Sequence, residues 1–96
     1  MTCPCDATEL DYLEAVVASL LADAQGKRAA NVGLPPICDI IPYHEGATNA
    51  QKKCHAAQSM IMLGRWLYCY TQSDPSACFS GECDDYADRV AACYPA

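Results

Sequence analysis

The sequence predicts an all-α fold, a small disulfide-stapled bundle of three to five helices. Three observations carry this prediction. Eight of the 96 residues are cysteine, a density typical of short disulfide-rich domains. Apolar residues recur at helical spacing in three stretches, and no alternating run of β-branched residues indicates a strand. No linker or internal repeat divides the chain, so residues 1–96 are expected to form a single domain.

The first helix is expected over residues 8–25. Asp6 or Thr8 can cap its start, and Glu9 stands in capping-box register to Asp6. Gly26 offers a left-handed stop. The apolar positions repeat with a helical period, and they are Leu10, Leu13, Val17, Leu20, Leu21 and Ala24.

Residues 31–46 are expected to form an ordered loop that Cys38 pins to the rest of the fold. Proline and glycine are too frequent here for a helix. The apolar Ile37, Ile40 and Ile41 favour a loop that folds back over the helices.

A second long helix is expected over residues 49–70, because Thr48 and Gln51 form a capping-box pattern and no proline follows. Its apolar side is broad enough to predict a helix that is buried nearly all round. The residues expected on its inner face are Cys54, Ala57, Ile61, Gly64 and Tyr68.

Two further helices are expected near the end of the chain. Asp74 followed by Pro75 is typical of a capped helix start, and it predicts a short helix over residues 75–79. A last helix is expected over residues 82–93, with Pro95 as its terminator. Its inner face is predicted to contain Cys83, Tyr86, Ala87, Val90 and Cys93.

All eight cysteines are expected to form disulfides, which predicts a secreted, extracellular protein. They are Cys3, Cys5, Cys38, Cys54, Cys69, Cys78, Cys83 and Cys93. Cys54 and Cys69 would lie roughly 22 Å apart on one helix, and Cys83 and Cys93 roughly 15 Å apart, too far to pair with each other. Cys3 with Cys5 would close too tight a loop. All four bonds are therefore expected to join different elements, with their connectivity otherwise open.

The composition narrows the classes of partner. The net charge of −6 disfavours nucleic acid, and no stretch is long and apolar enough to span a membrane. We expect a mature form whose signal peptide has been removed and to which Met1 was added. The sequence predicts no metal or cofactor, and it leaves the oligomeric state open.

The large apolar side chains of the second helix suggest a cavity for an apolar small molecule. The same side chains would be expected in a dry core. The candidate ligand-binding residues are Met60, Leu63, Leu67 and Tyr68, with Tyr86 and Val90 opposite them and Leu13 and Val17 closing the cavity from the first helix.

A degenerate phospholipase A2-like enzyme is a weaker alternative, based on His55 and Asp39. In that family an aspartate follows the histidine directly, whereas Ala56 stands here. No glycine-rich calcium loop precedes it either. We therefore expect a non-enzymatic protein, with His55 on a helix surface.

Several short motifs are similar to those of the elicitins, small secreted proteins that carry sterols and provoke plant defence. Cys3 precedes an alanine-rich helix, Thr48-x-Ala50-Gln51-x-Lys53-Cys54 leads into Met60-Ile61, and Tyr86-Ala87 precedes Val90 and Cys93. Elicitins have six cysteines, fewer than this chain. The resemblance implies pairing of Cys3 with Cys69 and of Cys54 with Cys93, and a sterol or fatty-acid cavity between helices.

The sequence thus predicts a secreted protein that acts by binding, as an effector or elicitor-like protein or as a carrier of an apolar ligand. The alternative is a receptor-directed signalling peptide, pheromone or toxin that acts on an extracellular receptor. Its surface would then include Arg65, Trp66, Asp84 and Asp85.

Overall fold

The computed structural model describes residues 8–95. It contains the helices α1 (Glu9–Ala30), α2 (Asn49–Cys69), α3 (Pro75–Cys78) and α4 (Glu82–Ala92), and no strand occurs within that range. The predicted all-α, disulfide-stapled fold is confirmed.

Helix α1 is longer than the sequence predicts. The Thr8 side chain accepts a hydrogen bond from the Asp11 N–H and caps the start. The expected stop at Gly26 is wrong, because the helix continues to Ala30. An ion pair between Asp23 and Lys27 spans the glycine, and the side chain of Asn31 donates to the Lys27 carbonyl at 2.7 Å. A glycine inside a helix costs about 1 kcal/mol of stability relative to alanine. The ion pair and the Asn31 hydrogen bond offset this cost.

Helix α2 begins with the predicted capping box, in which Thr48 and Gln51 exchange hydrogen bonds. Its inner face differs from the prediction, since Ile61 and Tyr68 are about half exposed (48% and 56%). The sequence predicts an inner face of apolar residues in helical register with Cys54. The observed inner face also includes polar side chains that form hydrogen bonds inside the protein. Its buried residues are His55, Ala56, Ser59, Met62, Leu63, Trp66 and Cys69.

The inner face of α2 contains two residues for which the sequence predicted a surface position. Trp66 is fully buried, and its indole N–H donates to the Pro35 carbonyl at 3.0 Å. His55 is 1% exposed. Both predictions are wrong because the loop before α2 supplies buried hydrogen-bond partners for these rings.

Helices α1 and α2 run parallel, side by side. Glu9 pairs with Lys53 near their starts, and the Lys27 ammonium lies 5.7 Å from the centre of the Tyr70 ring near their ends. The chain must therefore run from the end of α1 back to the start of α2, along both helices. Residues 31–48 form this connection, which we call the return loop. As predicted, its isoleucines pack against the core.

Three disulfides join different elements within residues 8–95. Cys38 of the return loop pairs with Cys83 of α4, and Cys69 at the end of α2 pairs with Cys78 of α3. The pairing of Cys54 with Cys93, which the elicitin resemblance implies, is confirmed. The implied pairing of Cys3 with Cys69 is wrong, because Cys69 is bonded to Cys78. Predictions for Cys3, Cys5 and Asp6 otherwise lie outside the described residues.

Helices α3 and α4 pack against α2. The Asp74 side chain caps α3 as predicted. Gly81, with φ 79°, turns the chain into α4, a conformation that favours glycine. Of the predicted inner face of α4, Tyr86, Val90 and Cys93 are buried. Cys83 and Ala87 are exposed instead, and the buried carboxylate of Glu82 bonds Arg89 at 2.7 Å.

The described part of the chain is flat, measuring 41 × 39 × 17 Å. No helix within it has the length and hydropathy needed to cross a membrane.

A groove between helix α1 and the return loop

An apolar groove of about 460 Å³ lies between α1, the return loop and α2. Helix α1 forms one wall, where its partly buried Val17 and Leu21 line the groove. The return loop forms the other wall, and the first half of α2 forms the floor. We call this cavity the apolar groove, and its lining residues are Glu14, Val17, Ala18, Leu21, Ile40, Ile41, Pro42, Tyr43, His55, Ala56 and Ser59.

His55 in the floor of the groove has both ring nitrogens occupied. Nε2 lies 2.8 Å from the Ile41 carbonyl, which can only accept, so Nε2 donates. Nδ1 then accepts from the Tyr94 hydroxyl at 2.6 Å. Burial lowers the pKa of His55, and the neutral ring is the form that this pattern fits. Both ring nitrogens are therefore bonded to Ile41 and Tyr94, and neither bonds Asp39, the partner that a phospholipase-like site would require.

The other polar groups of the floor also bond within the protein. The Ser59 hydroxyl donates to the His55 carbonyl at 3.4 Å and lies 2.7 Å from the Tyr86 hydroxyl. Because the single Ser59 proton goes to the His55 carbonyl, the Tyr86 hydroxyl donates to Ser59, while its oxygen accepts from the Ile41 N–H at 3.1 Å. Since the partners of these groups are supplied internally, the floor offers an apolar ligand a surface without competing donors.

One end of the groove is acidic. The carboxylate of Glu14 lines it beside Tyr43. Burial and this neighbouring carboxylate raise the pKa of Tyr43 to about 12, so its hydroxyl remains protonated. The ammonium of Lys52 lies 5.5 Å from the centre of the Tyr43 ring, and Lys52 is not part of the lining.

A second cavity of about 630 Å³ continues the groove toward the end of α1. The two cavities share Leu21 and Ile40 as wall residues. The far part is more polar, with Arg28 on α1 and Asp39 on the loop. We call it the Arg28 cavity.

The structure brings few of the sequence-predicted ligand residues to the groove. Val17 lines it. Leu63, Tyr86 and Val90 lie in the packed core. The remaining candidates lie outside the lining: Leu13, Met60 and Leu67 are half-buried and Tyr68 is exposed.

The predicted cavity lies between α2 and α4 and is closed by the first helix, so it does not include the return loop. The signal that was available is the apolar triplet Ile37, Ile40 and Ile41 in a segment rich in proline. Such side chains need a helix surface to cover them, and a loop that covers a parallel helix pair can leave a trough at its edge.

Comparisons with known proteins found no relative of this chain. No family model matches the chain, and neither the curated proteins nor the solved structures contain a match.

Proposed function

We propose that this protein is a secreted, non-enzymatic carrier that binds an apolar small molecule, of the sterol or fatty-acid class, in the apolar groove. The observation that supports the proposal best is a mostly apolar trough of about 460 Å³ whose few polar floor groups bond within the protein. Small-molecule sites typically have about 300–1,000 Å³ and apolar walls. The three disulfides fit an extracellular protein.

Three contacts hold the return loop, which forms one wall of the groove, in place. The Cys38–Cys83 bond holds the return loop to α4, and Tyr86 and His55 bind the loop backbone at Ile41. The loop wall is therefore fixed before a ligand arrives. A preformed site avoids the cost of ordering a loop on binding.

The test is the melting temperature of the oxidised protein with added ligand. A ligand that binds only the folded state, at a free concentration a hundred times its Kd, adds about 2.7 kcal/mol to the free energy of unfolding. We expect tetradecanoate, tetradecanol or cholesterol to raise the melting temperature of the wild type. If none of the three raises it, the carrier proposal is wrong.

A matched pair of variants locates the binding. Ala18 is an exposed α1 residue that lines the groove, so Ala18→Trp fills it. Ala22 is exposed on the same helix outside both cavities, so Ala22→Trp adds the same bulk elsewhere. We expect the ligand-induced shift to vanish in the first variant and to persist in the second.

A receptor-directed ligand is the second candidate function, and the outer face of α2 favours it. Ile61 and Tyr68 are exposed there, and Arg65 lies over the Tyr68 ring at 5.7 Å. An aromatic residue beside arginine is typical of binding hot spots. This candidate predicts that Tyr68→Ser abolishes binding to responsive cells while the melting shift with apolar ligands is unchanged.

A further inference from the structure

The apolar groove and the Arg28 cavity are neighbours along α1, and they share the wall residues Leu21 and Ile40. We call the two together the trough, and it follows the seam between α1 and the loop. The trough extends along α1 from Glu14 to Arg28, roughly 21 Å at the rise of an α-helix. A trough of this length can hold an extended alkyl chain along the axis of α1.

The two ends of the trough differ in charge. The Glu14 end carries a carboxylate and a protonated Tyr43 hydroxyl. The other end carries the guanidinium of Arg28, and among the described residues no carboxylate lies within 4.0 Å of it. Asp39 also lines this end, and it opposes an anion there without forming an ion pair with Arg28.

We propose that the trough binds a single-chain anionic amphiphile, of the long-chain fatty carboxylate class, with its head group at Arg28 and its alkyl chain in the apolar groove. This inference rests on the proposed carrier function. A guanidinium matches a carboxylate with two parallel hydrogen bonds. The Glu14 carboxylate repels the head and thereby sets the direction in which the chain lies.

The experiment compares tetradecanoate with tetradecanol, which has the same chain and a neutral head. Binding is measured by calorimetric titration below the concentration at which either compound forms aggregates. The wild type is expected to bind tetradecanoate more tightly. Arg28→Gln is expected to weaken tetradecanoate binding about five- to tenfold, the range for an ion pair at an exposed site, and to leave tetradecanol unchanged.

Two further variants make the test specific. Asp39→Asn removes the opposing carboxylate at the head-group end, so it is expected to tighten tetradecanoate binding and leave tetradecanol unchanged. Arg65→Gln removes an exposed arginine of α2 outside both cavities. It controls for the change in net charge and should affect neither ligand.

The outcomes separate this inference from the carrier proposal. If tetradecanol binds as tightly as tetradecanoate and Arg28→Gln weakens neither, the head-group assignment is wrong while the carrier function stands. Preferential binding of cholesterol would also overturn it. If tetradecanoate binding falls instead in Lys52→Met, the head lies at the opposite end, and the proposed orientation is wrong. If no compound binds, the carrier function itself fails.

Discussion

Helices α1 and α2 are neighbours of nearly equal length, 22 and 21 residues, yet they are held in very different ways. Helix α2 buries seven residues and is bonded by disulfides at Cys54 and Cys69. Among the residues of α1, all of which are described, Ala24 alone is fully buried, and the helix contains no cysteine. Helix α2 therefore carries most of the stability of the fold, and α1 is left partly uncovered to form a groove wall.

The largest expected contrast comes from the same substitution in each helix. Leu63 of α2 is fully buried, whereas Leu20 of α1 is half-buried. Leu63→Ala is expected to cost about 2–5 kcal/mol of unfolding free energy, and Leu20→Ala about 1 kcal/mol. Denaturant unfolding of the oxidised variants measures both, and equal costs would show that α1 is as tightly packed as α2.

Removing the cross-link between α2 and α4 tests what makes α2 the stable element. The double variant Cys54→Ala, Cys93→Ala opens a bond between residues 39 positions apart, which is expected to cost about 2–4 kcal/mol. Amide hydrogen exchange should then accelerate in α2 and α4. Unchanged exchange in α2 would mean that its packing, and not the disulfide, protects it.

His55, in the floor of the groove, makes the free energy of unfolding depend on pH. Burial lowers the folded-state pKa of His55, so below the unfolded value, about 6.5, the unfolded chain binds more protons than the folded one. The free energy of unfolding should therefore fall as the pH drops from about 6.5 toward the folded-state pKa. We expect this fall to be smaller than the loss caused by removing the Cys54–Cys93 disulfide.

Two histidine variants isolate this effect. The decline should disappear in His55→Gln and persist in His44→Gln, since His44 is exposed and stacks on Tyr94 without lining the groove. A decline of the same size in His55→Gln would assign the pH dependence to another group.

The smallest expected effect comes from a glycine in each helix. Gly26 lies in α1 and Gly64 in α2, and a Cβ at either position meets nothing within 4 Å. Each substitution to alanine should add about 0.5–1 kcal/mol. Equal gains in thermal unfolding would show that α1 is as fully helical as α2, and a smaller gain for Gly26→Ala would show that the end of α1 frays.

The sequence was enough to predict the fold class and most helix starts, because these depend on local chemistry. The Thr8 cap, the Thr48–Gln51 capping box and the Asp74-Pro75 start are properties of neighbouring residues. The end of α1 was missed because the Asp23–Lys27 pair and the Asn31 cap outweigh one glycine.

The inner face of α2 and the groove were harder to predict because they depend on tertiary partners. The sequence predicts a surface position for His55, and its burial depends on the hydrogen bonds that Tyr94 and the Ile41 carbonyl supply. Whether two helices run parallel is likewise decided by the path of the return loop, which a local pattern does not encode. The groove wall at Ile40 and Ile41 follows from that path.

The spacing of the three disulfides has a kinetic consequence. The Cys69–Cys78 bond closes a separation of 9 residues, whereas the Cys38–Cys83 bond closes one of 45. Closing the longer loop costs about 1.4 kcal/mol more entropy, so oxidation is expected to begin at the corner between α2 and α3. The bond that secures the return loop is therefore expected to form later, so a partly oxidised chain would have its helices before it has its groove.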